Sequence, residues 1–577
     1  MVSPVKPSPA PTSSRRDSYL RRAPGIIAAL AYVLGFLTLI DALLPEQRAR
    51  VRAITRFLPV PGNAVATAAV AVAALLLLRV AAGLRRRKRL AWRVAVAASA
   101  VLMVGHVLKG RSVGEAGFFL ILLILLVTAR SRFTARSDPT SRWVALRIFL
   151  QFLAVGVTYG LIMLYVYPRR VLGHPSFWDR LHEIFAGFVG VNGPVRLRGH
   201  RFDDIFHYTL VGFALLTSVL VVLLILRPSE QLQTLTPDDE RRLRELLQKQ
   251  GSRDSLGYFA LRRDKSVLWS GSGKAAVTYR VVSGVALVSG DPIGDPEAWP
   301  GALAVYKQMV AEFAWTPAVM GCSEQGAVVY KRECDLAAIE LGDEAIVEIA
   351  DFHLDGRAMR GVRQACTRVA RAGYQVAVRR AGDIDPDEFR QLLDAAAAWR
   401  GAATERGFSM ALSRLGDPAD VDCVIATAHD ESGALRGMLN FVPWGRDGLS
   451  LDLMRRDRGA DNGLNEYMIV QVIEAAPGLG VARLSLNFAV FRDAIERGER
   501  IGAGPVLRAW RAVLIFASRW WQIESLYRFN VKFRPEWEPR FLSYPAARDL
   551  PRIALAALEA EAFLVQPRLL RRLLGRG

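Results

Sequence analysis

Cysteine and histidine are scarce: the chain has four Cys and seven His in 577 residues. Cys322, Cys334, Cys366 and Cys423 all fall in the later part, and no two form a C-x-x-C pair. That spacing argues against a zinc ribbon or a disulfide framework and for reduced thiols in a cytosolic setting. Also missing are a G-x-S-x-G elbow, a Walker loop and a dinucleotide fingerprint, so hydrolase, NTPase and Rossmann oxidoreductase chemistry lack their usual signatures. Acidic residues are thin in one region only. Residues 1–230 carry 30 Lys and Arg against 10 Asp and Glu, net +20, whereas the remainder carries 46 against 45, net +1. The overall +21 therefore reports the first region and not one long nucleic-acid surface.

That basic region is also the apolar one. Residues 1–24 form a Pro-, Ser- and Arg-rich tail expected to be disordered, and apolar stretches follow at about 25–44, 60–82, 91–108, 113–129, 144–167 and 205–226. Six spans over 25–226 are expected, multi-pass in the plasma membrane. Arg15, Arg16, Arg21 and Arg22, then Arg85 to Arg89, then Arg130, Arg132, Arg136 and Arg142 mark the cytoplasmic loops, while Arg48 to Arg56 weighs against that scheme. Both ends then lie in the cytoplasm. The connector from Pro168 to Asp204, with Phe177, Trp178, His182 and Glu183, reads as a loop in the interface in preference to a headgroup path.

Thr236-Pro237-Asp238-Asp239-Glu240 is a helix start, with a capping hydroxyl, an early proline and acids at the positive helix end, so 227–250 is read as a linker helix. Strands and helices then alternate. Tyr258–Ser270 and Lys274–Ser289 read as strands, Ala298–Phe313 as a helix, Pro317–Gly321 as a strand, Gln325–Glu333 as a helix and Ala337–Ile349 as strand. The order recurs later, which predicts two related α+β lobes at 251–380 and 381–565, before a basic tail at 566–577. Gly290-Asp291-Pro292 reads as a structural turn.

Residues 450–491 are the centre of the second lobe. Ser450–Met454 forms a strand, Arg455 to Arg458 crowd charge at its end, and Gly459 and Asn462-Gly463 turn the chain. Leu464, Met468, Ile469, Val472 and Ile473 give a helix an apolar face, and Arg483–Phe488 forms a second strand finishing near Asn487. Ligands of such α/β units bind beyond the strand carboxyl ends, where a helix begins with unpaired N–H donors. Asp452 and Glu466 are the carboxylates flanking this turn, suited to general-base work or to gripping an ammonium; Asp452 could equally be a salt-bridge partner of Arg455. Arg455 and Arg456 suit phosphate. In YRFNVKFRPEWEPR, Arg528, Asn530, Lys532 and Arg540 alternate with apolar residues as on one strand face. Arg357, Arg360, Arg363, Arg368 and Arg371 fall at helical spacing, fit for tRNA phosphates, for an anionic membrane or simply for solvent. Trp510, Phe516, Trp520, Trp521 and Tyr527 read as core before the last strand.

The runs SGDPIGDPEAWP, ELGDEAIVEIADFHLDGRAMRGVRQA, ERGFSMALSRLGDPADVDC, SLDLMRR, SLNFAVFR, GAGPV and SRWWQIESLYRFNVKFRPEWEPR resemble the phosphatidylglycerol lysyltransferase family, also called multiple peptide resistance factors. Within it, the resemblance is to the membrane-plus-transferase portion of mycobacterial members that also carry a lysyl-tRNA synthetase. It covers roughly 25–565. It implies a tandem acetyltransferase-like (GNAT-type) fold behind the membrane domain and lysyl transfer from lysyl-tRNA to phosphatidylglycerol, with no cofactor and no metal. It also raises Asn487, Lys532 and Arg540 as substrate contacts, and suggests that Glu405, Arg406 and Ser409 close over the aminoacyl end. The sequence ends near Gly577 with no appended synthetase, so a separate lysyl-tRNA synthetase is expected to supply the donor, and lipid flipping is put in doubt. From the residues alone, alanyl transfer, a CoA-dependent acyltransferase, a non-enzymatic tRNA- or lipid-binding protein and a homo-oligomer stay open.

Overall fold

The computed structural model describes residues 15–43, 73–108 apart from 75, 79, 82 and 86, 113–133, 140–225 apart from 189 and 191, 235–401, 407–490 and 523–564. The chain forms two units, one mainly of residues up to Ser229 and one of most of the rest. In the first, α1 (Arg15–Leu43), α2 (Arg89–Leu108), α3 (Val113–Thr128), α4 (Thr140–Val166), α5 (Phe177–Phe188) and α6 (His200–Ile225) follow one another. Helix α1 begins inside the stretch expected to be a disordered tail. Among the described residues one helical stretch, Phe149–Val166, is long and apolar enough to cross a membrane, and Ala23–Thr38 and Ala116–Thr128 are shorter apolar stretches. Much of the expected span at 60–82 lies outside the described residues.

The connector expected to be a loop is ordered by hydrogen bonds. Strands β1 (Val171–Leu172) and β2 (Arg196–Leu197) pair antiparallel around α5. Buried Glu183 on α5 accepts from the Val195 backbone N–H at 2.8 Å and meets His207 Nε2 at 3.2 Å. Phe177, Trp178 and Phe185 on the same helix stay exposed.

The second unit starts with α7 (Pro237–Gln250), where the Thr236 hydroxyl accepts from Asp239 N at 3.1 Å, as its capping sequence requires. Residues 258–261, expected to be strand, are instead part of a 3₁₀ turn, and β3 covers only Ser266–Trp269. Then come β4 (Ala275–Val282), β5 (Val285–Ser289), β6 (Ile293–Gly294), α8 (Trp299–Phe313), β7 (Thr316–Cys322), α9 (Glu324–Cys334) and β8 (Ala337–Glu348). The later half supplies α10 (Arg360–Arg371), β9 (Gln375–Arg380), α11 (Pro386–Arg400), β10 (Val424–His429), β11 (Leu435–Trp444), β12 (Gly448–Arg456), α12 (Leu464–Ala475), β13 (Arg483–Val490), α13 (Ile523–Val531), β14 (Glu536–Tyr544) and α14 (Leu550–Ala560).

All of β3 to β14 join one mixed sheet of twelve strands, in the order β3-β4-β5-β7-β14-β8-β13-β12-β11-β10-β9 with β6 on β4. Each half repeats a pattern: antiparallel strands, a crossover helix, then a parallel strand. In the first half β5 runs parallel to β7 across α8, and in the second β12 runs parallel to β13 across α12. The halves then trade their last strands. β8 follows β7 in sequence but pairs with β13, whereas β14 follows β13 but pairs with β7, and β8 and β14 pair with each other at the centre. β9, inside the first lobe by the expected limits, pairs with β10 of the second half.

A buried ionic cluster lies at this exchange. Arg540 on β14 donates to Glu344 on β8, to Asp254 Oδ1 at 2.8 Å and to the Ser255 hydroxyl at 2.8 Å. Asp254 Oδ2 accepts the backbone N–H of Asp291 at 2.9 Å, and Asp291 in turn holds the backbone N–H and hydroxyl of Ser323. The Gly290-Asp291 turn is thus structural. Burial, then the neighbouring Asp254 carboxylate, push the Asp291 carboxyl up to about 7. A folded-state pKa raised above the unfolded value means that the native state holds the proton more tightly. The stability this confers is complete below the unfolded pKa, about 4, and is lost as pH rises through 7. Asp291→Asn keeps a neutral group of the same shape. Its denaturant midpoint, measured from pH 4 to 8, should gain on wild type steadily with pH, by up to about 1.4 kcal/mol per unit. Parallel pH profiles would refute this.

Candidate active site

The two halves differ at their parallel pair. β5 and β7 stay paired from Val285/Thr316 to Ser289/Met320, but β12 and β13 pair only over Gly448–Ser450 with Arg483–Ser485 and then separate. Such a splay leaves ladder carbonyls without partners inside the sheet, and each must be met. Asn487 Nδ2 donates to the Leu451 carbonyl, and Asn530 Nδ2 donates to the Leu486 carbonyl at 3.3 Å. Asn487 has φ +69°, a left-handed conformation that asparagine tolerates better than most side chains. Both amides are buried, and among the described residues their Oδ1 atoms have no hydrogen-bond partner. Two acceptors therefore remain at the mouth of the splay.

Asp452 stands on β12 where the pairing with β11 shifts register between Asn440 and Phe441. This bulge turns the carboxylate toward the α11 face, a device often found beside active sites. Its Oδ1 accepts from Leu412 N at 2.6 Å and its Oδ2 from Asn440 Nδ2 at 2.8 Å. The loop 407–413 that delivers Leu412 is anchored from two sides. Glu561 accepts from Phe408 N, Ser409 N and the Ser409 hydroxyl at 2.6, 3.1 and 2.5 Å. Arg262 donates to the carbonyls of Gly407 and Ala411 and to the Ser413 hydroxyl at 2.5 to 2.8 Å. Although burial pushes Asp264 upward, Arg262 and Arg280 hold its carboxyl down at about 2, so Arg262 keeps a charged partner. Under the loop, burial and then Arg262 lower the Lys265 ammonium to about 7; it donates to Ser289 Oγ and the Phe259 carbonyl.

Helix α12 packs on the other face, against Leu439, Phe441 and Leu451. It begins at Gly463, which has φ +98°, and a Cβ there would stand 2.8 Å from that of Ala365 on α10. Only glycine permits both the turn and the close approach. Arg456 Nη1 donates to the Asp461 carbonyl at 3.1 Å, holding the same turn, whereas Arg455 reaches the Ala396 carbonyl on α11 at 3.1 Å. Glu466, in the first turn of α12, accepts from Lys532 at 2.8 Å.

Several expectations from sequence change here. Asp452 and Glu466 do not converge, since Asp452 faces α11 and Glu466 belongs to the helix on the opposite face. Arg528 and Asn530 lie on helix α13, with Lys532 just after it; the strand alternation read there begins only at Glu536. Arg528 is exposed, Asn530 is wholly buried, and Arg540, at 2 % exposure, is enclosed by Glu344 and Asp254 and not open to a substrate phosphate. Ser409 is buried on Glu561, and its loop reaches Asp452 through Leu412. Glu405, Arg406, Trp510, Phe516, Trp520 and Trp521 lie outside the described residues. Arg357, Arg360, Arg368 and Arg371 are exposed around α10, opposite buried Val362, Ala365 and Val369; Arg363 is exposed too but turns back to the Leu354 and Gly356 carbonyls. Sequence reading missed Asn440, Arg262 and Glu561. Asn440 left a trace as one amide within the apolar run Met438–Val442.

Residues 244–544 match the family "Phosphatidylglycerol lysyltransferase, C-terminal", and residues 19–223 match "Transmembrane region of lysyl-tRNA synthetase". Among curated proteins, the lysylphosphatidylglycerol biosynthesis bifunctional protein LysX of Rhodococcus opacus (strain B4) is 41% identical over 577 residues, covering 98% of this chain and 51% of that protein. LysX of Mycobacterium tuberculosis (strain ATCC 25618 / H37Rv) is 44% identical over 508 residues, covering 84% and 42%. The chain thus spans about half the length of these curated relatives, or less. Among solved structures, L-PGS from Bacillus licheniformis has a TM-score of 0.48 at 21% identity, over 58% of this chain and 99% of that one. With the match at 244–544 taking in just over half of its length, the chain belongs to the phosphatidylglycerol lysyltransferase C-terminal family.

Proposed function

We propose that the chain moves a lysyl group from lysyl-tRNA to phosphatidylglycerol, making lysyl-phosphatidylglycerol on a GNAT-like tandem lobe held at the cytoplasmic side of a multi-pass membrane domain. The observation that carries this reading is that the family match spans the splayed strands and Asp452 together. The reaction exchanges one ester for another. A lipid hydroxyl attacks the aminoacyl carbonyl, a new C–O bond forms, the bond to the tRNA 3′ end breaks, and the proton of the lipid hydroxyl ends on the departing ribose oxygen.

Asp452 is the group we assign to receive that proton, directly or by way of the neighbouring ribose hydroxyl. Arg455, Arg456 and Lys532 supply cationic charge for phosphate, with Glu466 orienting Lys532. The exposed arginines of α10 give a stripe for tRNA phosphates. The acidic lipid becomes cationic, which weakens attraction of cationic peptides to the membrane.

The test incubates purified protein in phosphatidylglycerol micelles with radiolabelled lysyl-tRNA, alanyl-tRNA or acetyl-CoA, then counts label in extracted lipid. Label from lysyl-tRNA alone is expected. Label from alanyl-tRNA keeps the class and changes the product; label from acetyl-CoA alone, or none, rejects the mechanism.

A further inference from the structure

The connector between α4 and α6 has a register that a segment lying flat on a membrane would not have. Helix α5 runs antiparallel to α4: Arg180 lies over the Tyr165 ring at 4.0 Å, a Cβ at Gly160 would stand 2.6 Å from Ile184, and one at Gly156 would stand 2.6 Å from the Phe188 ring. Each step along α5 is thus a step back from the Val166 end of α4. At about 1.5 Å per residue, Gly156 lies about 15 Å from that end. The α6 side gives the same depth. A Cβ at Gly187 would stand 2.6 Å from Leu210, and Leu210 also lies about 15 Å from the His200 end of its helix. Phe149–Val166 is long and apolar enough to cross a membrane, so α5 ends near the middle of a hydrocarbon core about 30 Å thick.

The chain then returns. Gly190 N–H donates to the Gly187 carbonyl at 3.0 Å, Glu183 takes the Val195 N–H, and β2 regains β1 at the surface. Non-helical backbone at such depth persists where protein meets its polar groups, as Glu183 does here. The outward face of α5 is largely apolar: Phe177, Trp178 and Phe185 are exposed, as are Val155, Ile162 and Tyr165 of α4. Near the paired β1 and β2, Arg169, Arg170, Arg196, Arg198 and Arg201 are exposed, against the acids Asp179, Asp203 and Asp204. Apolar surface at that depth meets acyl chains, and an arginine collar above it meets phosphate.

We propose that α5 and its return to β2 form a re-entrant lipid-docking element: Trp178 and Phe185 lie against acyl chains, and the arginine collar holds the phosphate of an anionic phospholipid. A zwitterionic lipid offers the same chains but offsets its phosphate with its own amine, so the element prefers headgroups of the phosphatidylglycerol kind. This goes beyond the transfer reading and rests only on α4 crossing a membrane.

Depth is read by spin labels on the full chain in nanodiscs of phosphatidylglycerol and phosphatidylcholine, with Cys322, Cys334, Cys366 and Cys423 changed to alanine. Phe185→Cys carries the test label, Ile162→Cys the membrane control and His174→Cys the surface control. The Phe185→Cys label should respond to oxygen and be shielded from a water-soluble nickel chelate at least as well as Ile162→Cys, whereas His174→Cys should respond to nickel. Nickel access at Phe185→Cys equal to that at His174→Cys overturns the re-entrant helix; nickel access at Ile162→Cys overturns the span on which it rests. The collar is read with chain-labelled phosphatidylglycerol and phosphatidylcholine, as the fraction of each that the protein immobilises. Wild type should favour phosphatidylglycerol. Arg196→Gln with Arg198→Gln should lower that preference by up to about 5-fold per arginine at low salt, the effect of one basic side chain at an anionic surface. Arg169→Gln with Arg201→Gln repeats the test outside β2, and an unchanged preference in either folded pair overturns the anionic-lipid assignment. Normal lysyl transfer with failed labels rejects this element alone; the label pattern without lysyl transfer rejects the transfer reading alone.

Discussion

Arg540→Ala is expected to cost about 3–5 kcal/mol of stability, the range for removing one partner of a buried ion pair, or to yield no folded protein. The guanidinium is enclosed where the halves exchange strands, and each of its nitrogens has a partner: Nε and Nη2 on Glu344, Nη1 on Asp254 and the Gly321 carbonyl, and Nη2 also on Ser255. Glu344 has no exposure, and its other oxygen takes the hydroxyls of Ser255 and Ser485. Without Arg540, Glu344, Asp254 and Asp291 are left as buried carboxyls with no cation among them. Ser255 and Asp254 precede β3, Glu344 is on β8, Ser485 on β13 and Arg540 on β14, so one side chain ties both halves at their junction. Arg540→Lys keeps the charge but not the planar fork, and should fall between wild type and alanine. Chemical denaturation followed by circular dichroism measures this. A midpoint unchanged in Arg540→Ala, with a raised KM for lipid, would instead return Arg540 to the phosphate-binding role its motif suggested.

The contrast between that arginine and its motif shows what a sequence carries and what it does not. The strand–turn–helix–strand unit at 450–491 was legible because its signals are local: apolar periodicity for α12, glycines where the turn needs them, alternation for β12 and β13. So was the helix start at Thr236, where a capping side chain and a proline lie within a few residues. The strand exchange was not legible. Nothing in the periodicity of β8 or β14 says which neighbour it will take, because pairing across some 200 residues is decided by the whole sheet and not by the strand. The strand expected at residues 528–533 failed for the opposite reason. Its alternating polar and apolar residues satisfy a strand, but Asn530 must reach the Leu486 carbonyl freed by the splay, and a helix delivers it there. Asp452 and Glu466 flank one turn along the chain, but the bulge turns Asp452 toward α11 while Glu466 rides on α12, on the opposite face of the sheet.

Asp452→Asn should lower the rate of lysyl transfer by about 10²- to 10⁴-fold, the contribution of a positioned general base, in a protein that still folds. The fold survives because the new amide oxygen can still accept from Leu412 N. The other amide atom becomes a donor facing Asn440 Nδ2, so Asn440 must turn over and present Oδ1 to it. That turn also rearranges the amide beside Asp452, so donor binding should fall along with turnover. Single-turnover rates at saturating lysyl-tRNA separate the two effects, since a binding defect disappears at saturation and a chemical one does not. If saturation restores the wild-type rate, Asp452 grips the ammonium and moves no proton. The neighbouring ribose hydroxyl is the remaining carrier, and a donor tRNA ending in 2′-deoxyadenosine tests it. A deoxy donor as slow with wild type as the normal donor is with Asp452→Asn places both groups on one proton path. Full speed with the deoxy donor leaves Asp452 to take the proton from the lipid hydroxyl directly.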